Sequence, residues 1–263
     1  MTNTPVNIHH TALVHPESKV AADVSIGPYS VIDKEVVLSS GVVIGCHCHL
    51  FSGVSLEGGV KVYDGAVLGS DPQDLKYKGE KSLVTIGEST CLREYVTVNT
   101  GTAARGETEI GKRCMIMAYS HVAHDCVIGD EVIIANGVQM GGHVNIGKGT
   151  VISGMTGIHQ FTSIGAGSFV GGGLRVARDI LPFTKALGEP LTWAGINDVG
   201  LKKLGLPDDA RNMLKKCYKC LQTQGNSALE AYLESERFNT AGAAELVSEI
   251  KEFMRISKRG LLR

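Results

Sequence analysis

The sequence predicts a mainly β protein, a parallel β-helix followed by an α-helical segment. Three observations lead to this fold class: aliphatic residues recur with a period of six between residues 8 and 176, with two interruptions; 33 of the 263 residues are glycine; and aromatic residues make up only 5%. Glycine usually accounts for about 7% of residues. The chain therefore needs many tight turns around a thin, aliphatic core.

The six-residue repeat never loses its phase. Small or β-branched residues, such as Val36, Val132 and Val138, stand two positions before many of its members. Alternate residues of a strand share one face, so each hexapeptide predicts a short strand with inward side chains, followed by a corner of about three residues. The repeat positions are Ile8, Val14, Val20, Ile26, Ile32, Leu38, Ile44, Leu50, Leu56, Val62, Leu68, Ile86, Leu92, Val98, Ile110, Ile116, Val122, Ile128, Ile134, Met140, Ile146, Ile152, Ile158, Ile164, Val170 and Val176.

Glycines directly after the aliphatic position indicate how many hexapeptides make one turn of the β-helix. Gly111, Gly129, Gly147 and Gly165 are spaced by 18 residues, which is three hexapeptides. Three hexapeptides make one triangular coil, and successive coils stack at the roughly 4.7 to 4.9 Å that separates neighbouring strands. In such a solenoid each coil covers only its neighbours. Residues 18 apart should therefore lie directly above one another.

Two polar stretches interrupt the repeat without shifting its phase, near residues 70–84 and 99–109. Asp74, Glu80 and Ala104 occupy positions where the aliphatic residue is due. We interpret both stretches as loops of whole-repeat length that leave the prism. Such insertions often build binding surface in solenoids, although plain loop variation is the alternative.

The repeat ends near residue 182, which divides the chain into a β-helix domain, 1–182, and an α-helical C-terminal domain, 183–263. Helical spacing predicts a short helix over 196–204, a longer one opened by Pro207, and an amphipathic one over 245–255. We expect this domain to cap the open end of the β-helix or to pack on a neighbouring subunit.

Charge and hydropathy exclude several classes of protein. The formal charge is −1 and the sequence pI about 6.7, so no broad basic surface is available for nucleic acid. No apolar run approaches the roughly 20 residues of a membrane span, and the first ten residues lack a signal-peptide core. We expect a cytoplasmic protein without a transmembrane segment, whose seven cysteines stay reduced.

Histidines gather at one corner of the predicted prism. His124, Gly142 and Gln160 are 18 residues apart and share the second position after the aliphatic residue. His124 can act as a general base because imidazole titrates near neutrality. Asp125 can orient one of its ring nitrogens, and Gly142, which has no side chain, can offer its N–H to an oxyanion. His121, His143 and His159 lie in or next to the same corners.

Two other interpretations of this cluster stay open. His121 and His124 have a spacing that zinc ligands can use, and the histidines could be surface residues without a role. Cys217 and Cys220 form a Cys-x-x-Cys pair on a predicted helix, for which a structural role is favoured over metal binding or redox chemistry.

Six motifs stand out along the chain: Gln73-Asp74-Leu75-Lys76-Tyr77, His121-Val122-Ala123-His124-Asp125-Cys126, Gly141-Gly142-His143, Gly157-Ile158-His159-Gln160-Phe161, Asn197 with Gly200-Leu201-Lys202, and Arg259-Gly260-Leu261-Leu262-Arg263. Together they resemble the cytosolic acyl-ACP:UDP-N-acetylglucosamine O-acyltransferases, which begin lipid A synthesis in Gram-negative bacteria. The hexapeptide repeat alone is shared by many acyltransferases, whereas the Gln73–Tyr77 loop motif together with the His121–Cys126 motif is specific. The likeness covers nearly the whole chain.

The resemblance implies a homotrimer of left-handed parallel β-helices with active sites between subunits. It implies transfer of an R-3-hydroxyacyl group from the phosphopantetheine thioester of acyl carrier protein to the 3-hydroxyl of UDP-N-acetylglucosamine, with no bound cofactor and no metal. By the same resemblance His124 is the general base oriented by Asp125, and Gly142 is the oxyanion donor. Residues that would position the sugar, diphosphate or pantetheine are Asp74, Lys76, His121, His143, His159, Gln160, Asn197 and Lys203.

The chain departs from the family pattern at two places. Lys203 and Leu204 stand where the family commonly carries an Arg pair, and lysine loses the bidentate geometry of arginine. Asn99-Thr100 replaces a more basic dipeptide seen in some relatives. Gly172 lies in the triple-glycine region where the family's acyl-length limit falls, and its small size suggests a longer acyl chain.

Three other functions compete with this one. The N-acyltransferase acting later in the pathway usually carries an extra N-terminal domain, for which the repeat beginning at Ile8 leaves no space. A structural or ice-binding β-helix would show flat arrays of threonine and no polar loops. A γ-carbonic-anhydrase-like zinc enzyme is the third option, and a metal assay on the purified protein would distinguish it from an acyltransferase.

Overall fold

The computed structural model describes residues 7–203, 205–225 and 243–263, and its body is a left-handed parallel β-helix of three sheets. This confirms the predicted fold class. Sheet 1 contains β1 Asn7–Ile8, β4 Ser25–Ile26, β7 Val43–Ile44, β10 Lys61–Val62, β13 Cys91–Leu92, β16 Met115–Ile116, β19 Ile133–Ile134, β22 Val151–Ile152, β25 Phe169–Val170, β27 Thr184–Leu187 and β28 Thr192–Ile196.

The other two sheets complete each triangular coil. Sheet 2 contains β2 Leu13–Val14, β5 Val31–Ile32, β8 His49–Leu50, β11 Val67–Ser70, β14 Thr97–Asn99, β17 His121–Val122, β20 Gln139–Met140, β23 Gly157–Ile158 and β26 Arg175–Val176. Sheet 3 contains β3 Lys19–Val20, β6 Val37–Leu38, β9 Val54–Leu56, β12 Leu83–Ile86, β15 Glu107–Ile110, β18 Val127–Ile128, β21 Asn145–Ile146 and β24 Ser163–Ile164.

The repeat positions form the core. Most strands are two residues long, and from β4 onward their second residue, as in Ile134 or Ile152, points inward and is almost completely buried. The residue two positions before it, such as Val132, is buried as well. Stacks of Val, Ile and Leu in parallel register therefore fill the prism, as the low aromatic content predicts.

Strand register shows that both inserted loops have whole-repeat length. Ser25 pairs with Val43 and Glu109 with Val127, both 18 residues apart. The pairing of Val67 with Thr97 spans 30 residues, because the loop 71–82 intervenes. The pairing of Thr97 with His121 spans 24, because of the loop 100–106. Insertions of whole repeats leave inward residues inward.

Beyond residue 182 the chain first extends sheet 1 and then becomes helical. β27 pairs parallel with β25, and β28 returns antiparallel to β27. The predicted helical domain, 183–263, therefore begins with a β-hairpin that the hexapeptide pattern does not predict. Within the described part of this segment the helices are α1 Asp198–Lys203, α2 Asp208–Gln224 and α3 Ala243–Ile256.

The helices pack on the last coil of the prism. Leu214, Tyr218 and Ile250 form one buried cluster with Leu181 and Phe183 of the coil end. The Tyr218 hydroxyl donates to the Pro182 carbonyl at 2.7 Å. None of the described helices has both the length and the apolar content that a membrane crossing requires.

A buried carboxylate ties the chain end to the prism. Asp179 is fully buried, and its Oδ1 accepts the Ser163 N–H at 2.7 Å. Its Oδ2 accepts the Ser257 hydroxyl and the N–H groups of Lys258 and Arg259 at 2.7 to 2.9 Å. The segment after α3 is therefore fixed on the last coil beside sheet 3.

Candidate active site

The corners that follow the strands of sheet 2 form one long edge of the prism, and both inserted loops leave the prism along it. β17 leads to His124, β20 to Gly142 and β23 to Gln160. The His143 N–H donates to the His124 carbonyl, and the Phe161 N–H donates to the Gly142 carbonyl, both at 3.0 Å. The residues that the 18-residue spacing predicts to be stacked thus lie on consecutive coils.

His124 and Asp125 form a direct pair. His124 Nδ1 is 2.7 Å from Asp125 Oδ2, and the two residues are only 8% and 3% exposed. Asp125 has φ 59°, a left-handed conformation that brings its side chain beside that of its neighbour, where a strand would point them apart. His124 is buried rather than solvent-facing, because its ring lies over the bare backbone of Gly142.

The Asp125 carboxylate is held by the second inserted loop. The Thr102 N–H donates to Oδ1 at 2.9 Å and the Thr102 hydroxyl to Oδ2 at 2.7 Å. The Asp125 N–H donates to the Thr108 hydroxyl at 2.9 Å. Burial alone would raise the pKa of Asp125, but the hydrogen bonds from His124 and Thr102 outweigh it and leave the pKa below its ordinary value.

The charge of Asp125 decides the tautomer of His124. An ionised carboxylate can only accept hydrogen bonds, so the hydrogen of a neutral imidazole must be on Nδ1. Nε2 is then left with its lone pair. The pair can therefore take a proton from a substrate group at Nε2 while Asp125 stabilises the resulting imidazolium.

Gly142 lies against this ring with no side chain between. A Cβ added to Gly142 would stand 2.5 Å from Nε2 of His124, so only glycine fits. Within the described residues, the Gly142 N–H donates to no acceptor. A hydrogen-bond donor thus lies next to the proton acceptor of the pair, which is the arrangement that an oxyanion needs.

His143 completes the cluster on the next coil. Its ring stacks on Phe161 with centroids 4.5 Å apart and meets the His124 ring edge-on at 5.0 Å. His143 Nε2 is 3.7 Å from Asp125 Oδ2. Burial lowers the pKa of His143, although the charges of Asp125 and Asp74 act in the opposite direction. Phe161, which supports this ring, belongs to one of the motifs of the resemblance but had no role assigned to it.

His121 and His159 are placed differently. His121 Nδ1 is 2.7 Å from the Thr97 hydroxyl on the neighbouring strand, and burial, with a smaller contribution from His124, lowers its pKa. His159 is exposed, and its Nδ1 is 3.0 Å from the Gln160 carbonyl. His121 is thus half-buried at the site, whereas His159 and Gln160 are exposed at its rim.

The first inserted loop carries Asp74 and Lys76. Asp74 is half-buried and accepts the Lys76 N–H at 2.9 Å, which fixes the turn at this point of the loop. Lys76 itself is exposed. Asp74 is close enough to His143 for its charge to act on that ring, so the structure brings loop 71–82 to the histidine cluster.

The remaining predicted substrate residues lie at the far end of the prism. Asn197 begins α1: its Oδ1 accepts the Gly200 N–H at 3.2 Å, and its Nδ2 donates to the Gly167 carbonyl at 2.8 Å. Both ends of this amide are engaged within the chain, so a substrate contact stays a prediction. Gly172 is exposed. The Lys203 side chain and Leu204 lie outside the described residues.

The same cluster could also hold a metal ion. His124, Asp125 and His143 offer one ligand atom each, all within 4.8 Å of one another. Asp125 already accepts hydrogen bonds from Thr102 and His124, which a metal would have to replace. The thiol of Cys126 offers no nucleophile here, because burial raises its pKa to about 12.

Two family models match parts of the chain. Residues 179–262 match UDP N-acetylglucosamine O-acyltransferase, domain 2. Residues 107–142, which include the His124–Asp125 pair, match the bacterial transferase hexapeptide of six repeats.

Whole-length relatives extend these matches. The acyl-[acyl-carrier-protein]–UDP-N-acetylglucosamine O-acyltransferase of Thiobacillus denitrificans is 40% identical over 97% of this chain and 99% of its own length. The solved UDP-N-acetylglucosamine acyltransferase of Francisella novicida superimposes with a TM-score of 0.92 at 31% identity, covering 97% of this chain and 94% of that one. LpxA from Acinetobacter baumannii gives a TM-score of 0.91 at 32% identity, covering 97% and 99%.

Proposed function

The chain belongs to the family of acyl-[acyl-carrier-protein]–UDP-N-acetylglucosamine O-acyltransferases, and from this we propose a specific reaction for it. The enzyme moves an R-3-hydroxyacyl group from the thioester of acyl carrier protein to the 3-hydroxyl of UDP-N-acetylglucosamine. This is the first step of lipid A biosynthesis, which we place in the cytoplasm. No bound cofactor takes part, since the donor brings its own phosphopantetheine.

His124 acts as the general base in the first half of the reaction. A sugar hydroxyl is a poor nucleophile until its proton is removed. Nε2 of His124 takes that proton while the oxygen attacks the thioester carbonyl, and Asp125 stabilises the imidazolium through its contact of 2.7 Å with Nδ1. The new bond is the carbon–oxygen bond of the product ester.

Gly142 and His124 both act in the second half of the reaction. The carbonyl oxygen becomes negatively charged as the oxygen adds, and the Gly142 N–H stabilises this charge. Collapse of the intermediate breaks the carbon–sulfur bond, and the pantetheine sulfur leaves with the proton that His124 carries. Base and thiol are then restored, and no covalent enzyme intermediate forms.

One observation carries this mechanism: a buried imidazole, oriented by an ionised carboxylate, lies against a glycine backbone on the adjoining coil. Asp74 and Lys76 on loop 71–82 and His143 beside the pair are the groups we assign to the acceptor. His121, His159 and Gln160 extend the same surface along the edge and would hold the rest of the substrates.

We further propose that three copies assemble through sheet 1. Outward side chains of this sheet are apolar on successive strands, including Met115, Ile133, Val151 and Phe169. Ile133 is 38% exposed in the single chain. A contiguous apolar strip of this kind is typical of a contact surface between subunits. A threefold ring in which sheet 1 of each copy faces the site edge of the next copy would place each site between two subunits.

Replacing Ile133 by lysine tests the assembly. A charge in the middle of an apolar contact must be desolvated without a partner, so we expect the trimer to dissociate and activity to fall with it. Size-exclusion chromatography with light scattering gives the mass. Ser55→Lys, an outward position of sheet 3, is the matched control and should keep the trimer. A trimer of unchanged stability in Ile133→Lys would contradict the role of sheet 1.

Product analysis tests the reaction itself. Purified enzyme, UDP-N-acetylglucosamine and hydroxyacyl carrier proteins of different lengths are incubated, and the products are examined by mass spectrometry. We expect one acyl group added to the sugar as an alkali-labile ester, with one preferred chain length. Exclusive acylation of a 3-amino sugar nucleotide would contradict the ester product. No acylation of any sugar nucleotide would contradict the proposed function.

A zinc-dependent activity is the second candidate, because three ligand groups lie together at the site. A chelator separates the two functions. If acyl transfer survives complete removal of metal ions, the mechanism with His124 as general base is supported. If activity is lost on chelation and restored by zinc, a zinc-dependent mechanism is supported.

A further inference from the structure

The loop 100–106 is one hexapeptide longer than a plain corner and lies beside the catalytic pair. Its residue Thr102 is 7% exposed and touches both oxygens of Asp125. Neither the repeat nor the motifs of the sequence point to this residue. Both donors of Thr102, its N–H and its hydroxyl, are directed to Asp125, so we expect its effect on the reaction to pass through Asp125 and His124.

The hydroxyl of Thr102 has only one direction in which to donate. Thr102 Oγ1 accepts the Ala104 N–H at 3.2 Å, and its own hydrogen is directed to Asp125 Oδ2 at 2.7 Å. The Thr102 N–H reaches the other oxygen, Oδ1, at 2.9 Å. Two donors from one residue thus fix the plane of the carboxylate, and Oδ2 is the oxygen that faces His124 Nδ1.

The loop is itself held by the neighbouring loop. Glu80 Oε1 accepts the Ala103 N–H at 3.0 Å, and Glu80 Oε2 accepts the Lys78 N–H at 2.9 Å. One carboxylate therefore joins loop 100–106 to loop 71–82, which carries Asp74. The turn before Thr102 depends on Gly101, where an added Cβ would collide with the backbone of Glu107.

We propose that Thr102 is a positioning residue, which holds the Asp125 carboxylate in the orientation that makes His124 present Nε2 to the substrate. This inference rests on the proposed function and deepens it. Glu80 acts one step further away, by keeping the loop of Thr102 in register with the loop of Asp74.

Charge explains why two donors are needed. A buried carboxylate favours its neutral form unless hydrogen bonds stabilise the charge. A neutral Asp125 could donate a hydrogen to Nδ1, and the imidazole would then carry its own hydrogen on Nε2, where it cannot accept one from the substrate. Losing the Thr102 hydroxyl raises the pKa of Asp125, so inactivation by acid should begin at higher pH.

Two variants of Thr102 separate the hydroxyl from the shape of the side chain. Thr102→Val keeps the branched shape and the N–H but has no hydroxyl, and Thr102→Ser keeps the hydroxyl. We expect Thr102→Val to lower kcat by about 10-fold or more, the usual scale for a hydrogen bond to a charged group. The acceptor KM should change by less than about two-fold. The acid limb of the kcat/KM profile should move to higher pH, and Thr102→Ser should stay close to the parent enzyme.

Thr150→Val is the matched control for a lost buried hydroxyl. Thr150 is fully buried in the prism and donates to the Gly165 carbonyl at 2.9 Å, away from the pair. We expect Thr150→Val to lower thermal stability, as Thr102→Val should, but to leave the acid limb of the kcat/KM profile where it is in the parent enzyme. Glu80→Gln should move the acid limb in the same direction as Thr102→Val, by a smaller amount.

The proposal is overturned if Thr102→Val keeps the parent kcat and pH profile, or if Thr102→Ser is as impaired as Thr102→Val. Nitrogen-15 NMR of the His124 ring gives a readout that needs no turnover. In the parent protein the hydrogen should be on Nδ1, and in Thr102→Val the population with hydrogen on Nε2 should grow. Parent enzyme that transfers no acyl group would refute the proposed function, while this NMR comparison would still decide the role of Thr102.

Discussion

Replacing His124 by alanine is expected to lower kcat/KM for acyl transfer by about 10²- to 10⁴-fold, the usual cost of losing a positioned general base. No other described side chain is placed to replace it, since His143 Nε2 is directed toward Asp125 and the His121 ring is bonded to Thr97. The measurement is the steady-state rate with acyl carrier protein thioester and UDP-N-acetylglucosamine.

The fold should survive this substitution. His124 lies at a corner and its ring contributes nothing to the stacked aliphatic core, so the assembly state and the melting temperature should change little. His15→Ala, an exposed histidine on an early coil, is the control and should keep full activity. Substantial turnover in correctly assembled His124→Ala enzyme would reject this residue as the base.

Gly142→Ala is the second large effect that we expect. The backbone of Gly142 is outside the left-handed region, so alanine can adopt its conformation, and the damage is steric. The new methyl group would overlap the His124 ring, which must turn away from both Asp125 and the substrate. Misplacing the oxyanion donor costs about 10²- to 10³-fold by itself, and displacement of the base adds to this loss.

Gly58→Ala tests whether the effect is specific to this corner. Gly58 has the same corner position on another edge, and a Cβ there would meet only the Ser40 carbonyl at 3.5 Å, an ordinary contact. We expect full activity and a small gain in stability from the stiffer unfolded chain. Gly142→Ala enzyme with near-normal kcat would contradict the stacking of glycine against the base.

The solenoid could be predicted because it depends on local repetition. Each coil meets only its neighbours, so the period of six fixes strand, corner and stacking together. The spacing also predicts that His124, Gly142 and Gln160 lie on consecutive coils, and the structure confirms it. The pairing of His124 with Asp125 follows less directly, since it requires the left-handed corner conformation of Asp125.

Contacts between loops could not be predicted from the six-residue repeat. Thr102 reaches Asp125 over 23 residues, and Glu80 reaches Ala103 over the same separation. The hairpin of β27 and β28 was missed because its alternation is short and follows the end of the repeat. The clamp on Asp179 joins residues up to 80 positions apart, which no local pattern encodes.

The way the C-terminal end of the β-helix is closed has a consequence for solubility. A stack of parallel strands ends in unpaired backbone groups that can recruit strands from other molecules and grow into fibres. Here the hairpin of β27 and β28 ends sheet 1 with an antiparallel turn, and the segment held by Asp179 covers the neighbouring edge. Removing the last seven residues should therefore expose unpaired backbone N–H and C=O groups at this end of the β-helix. We expect the shortened protein to polymerise end to end, in addition to losing stability.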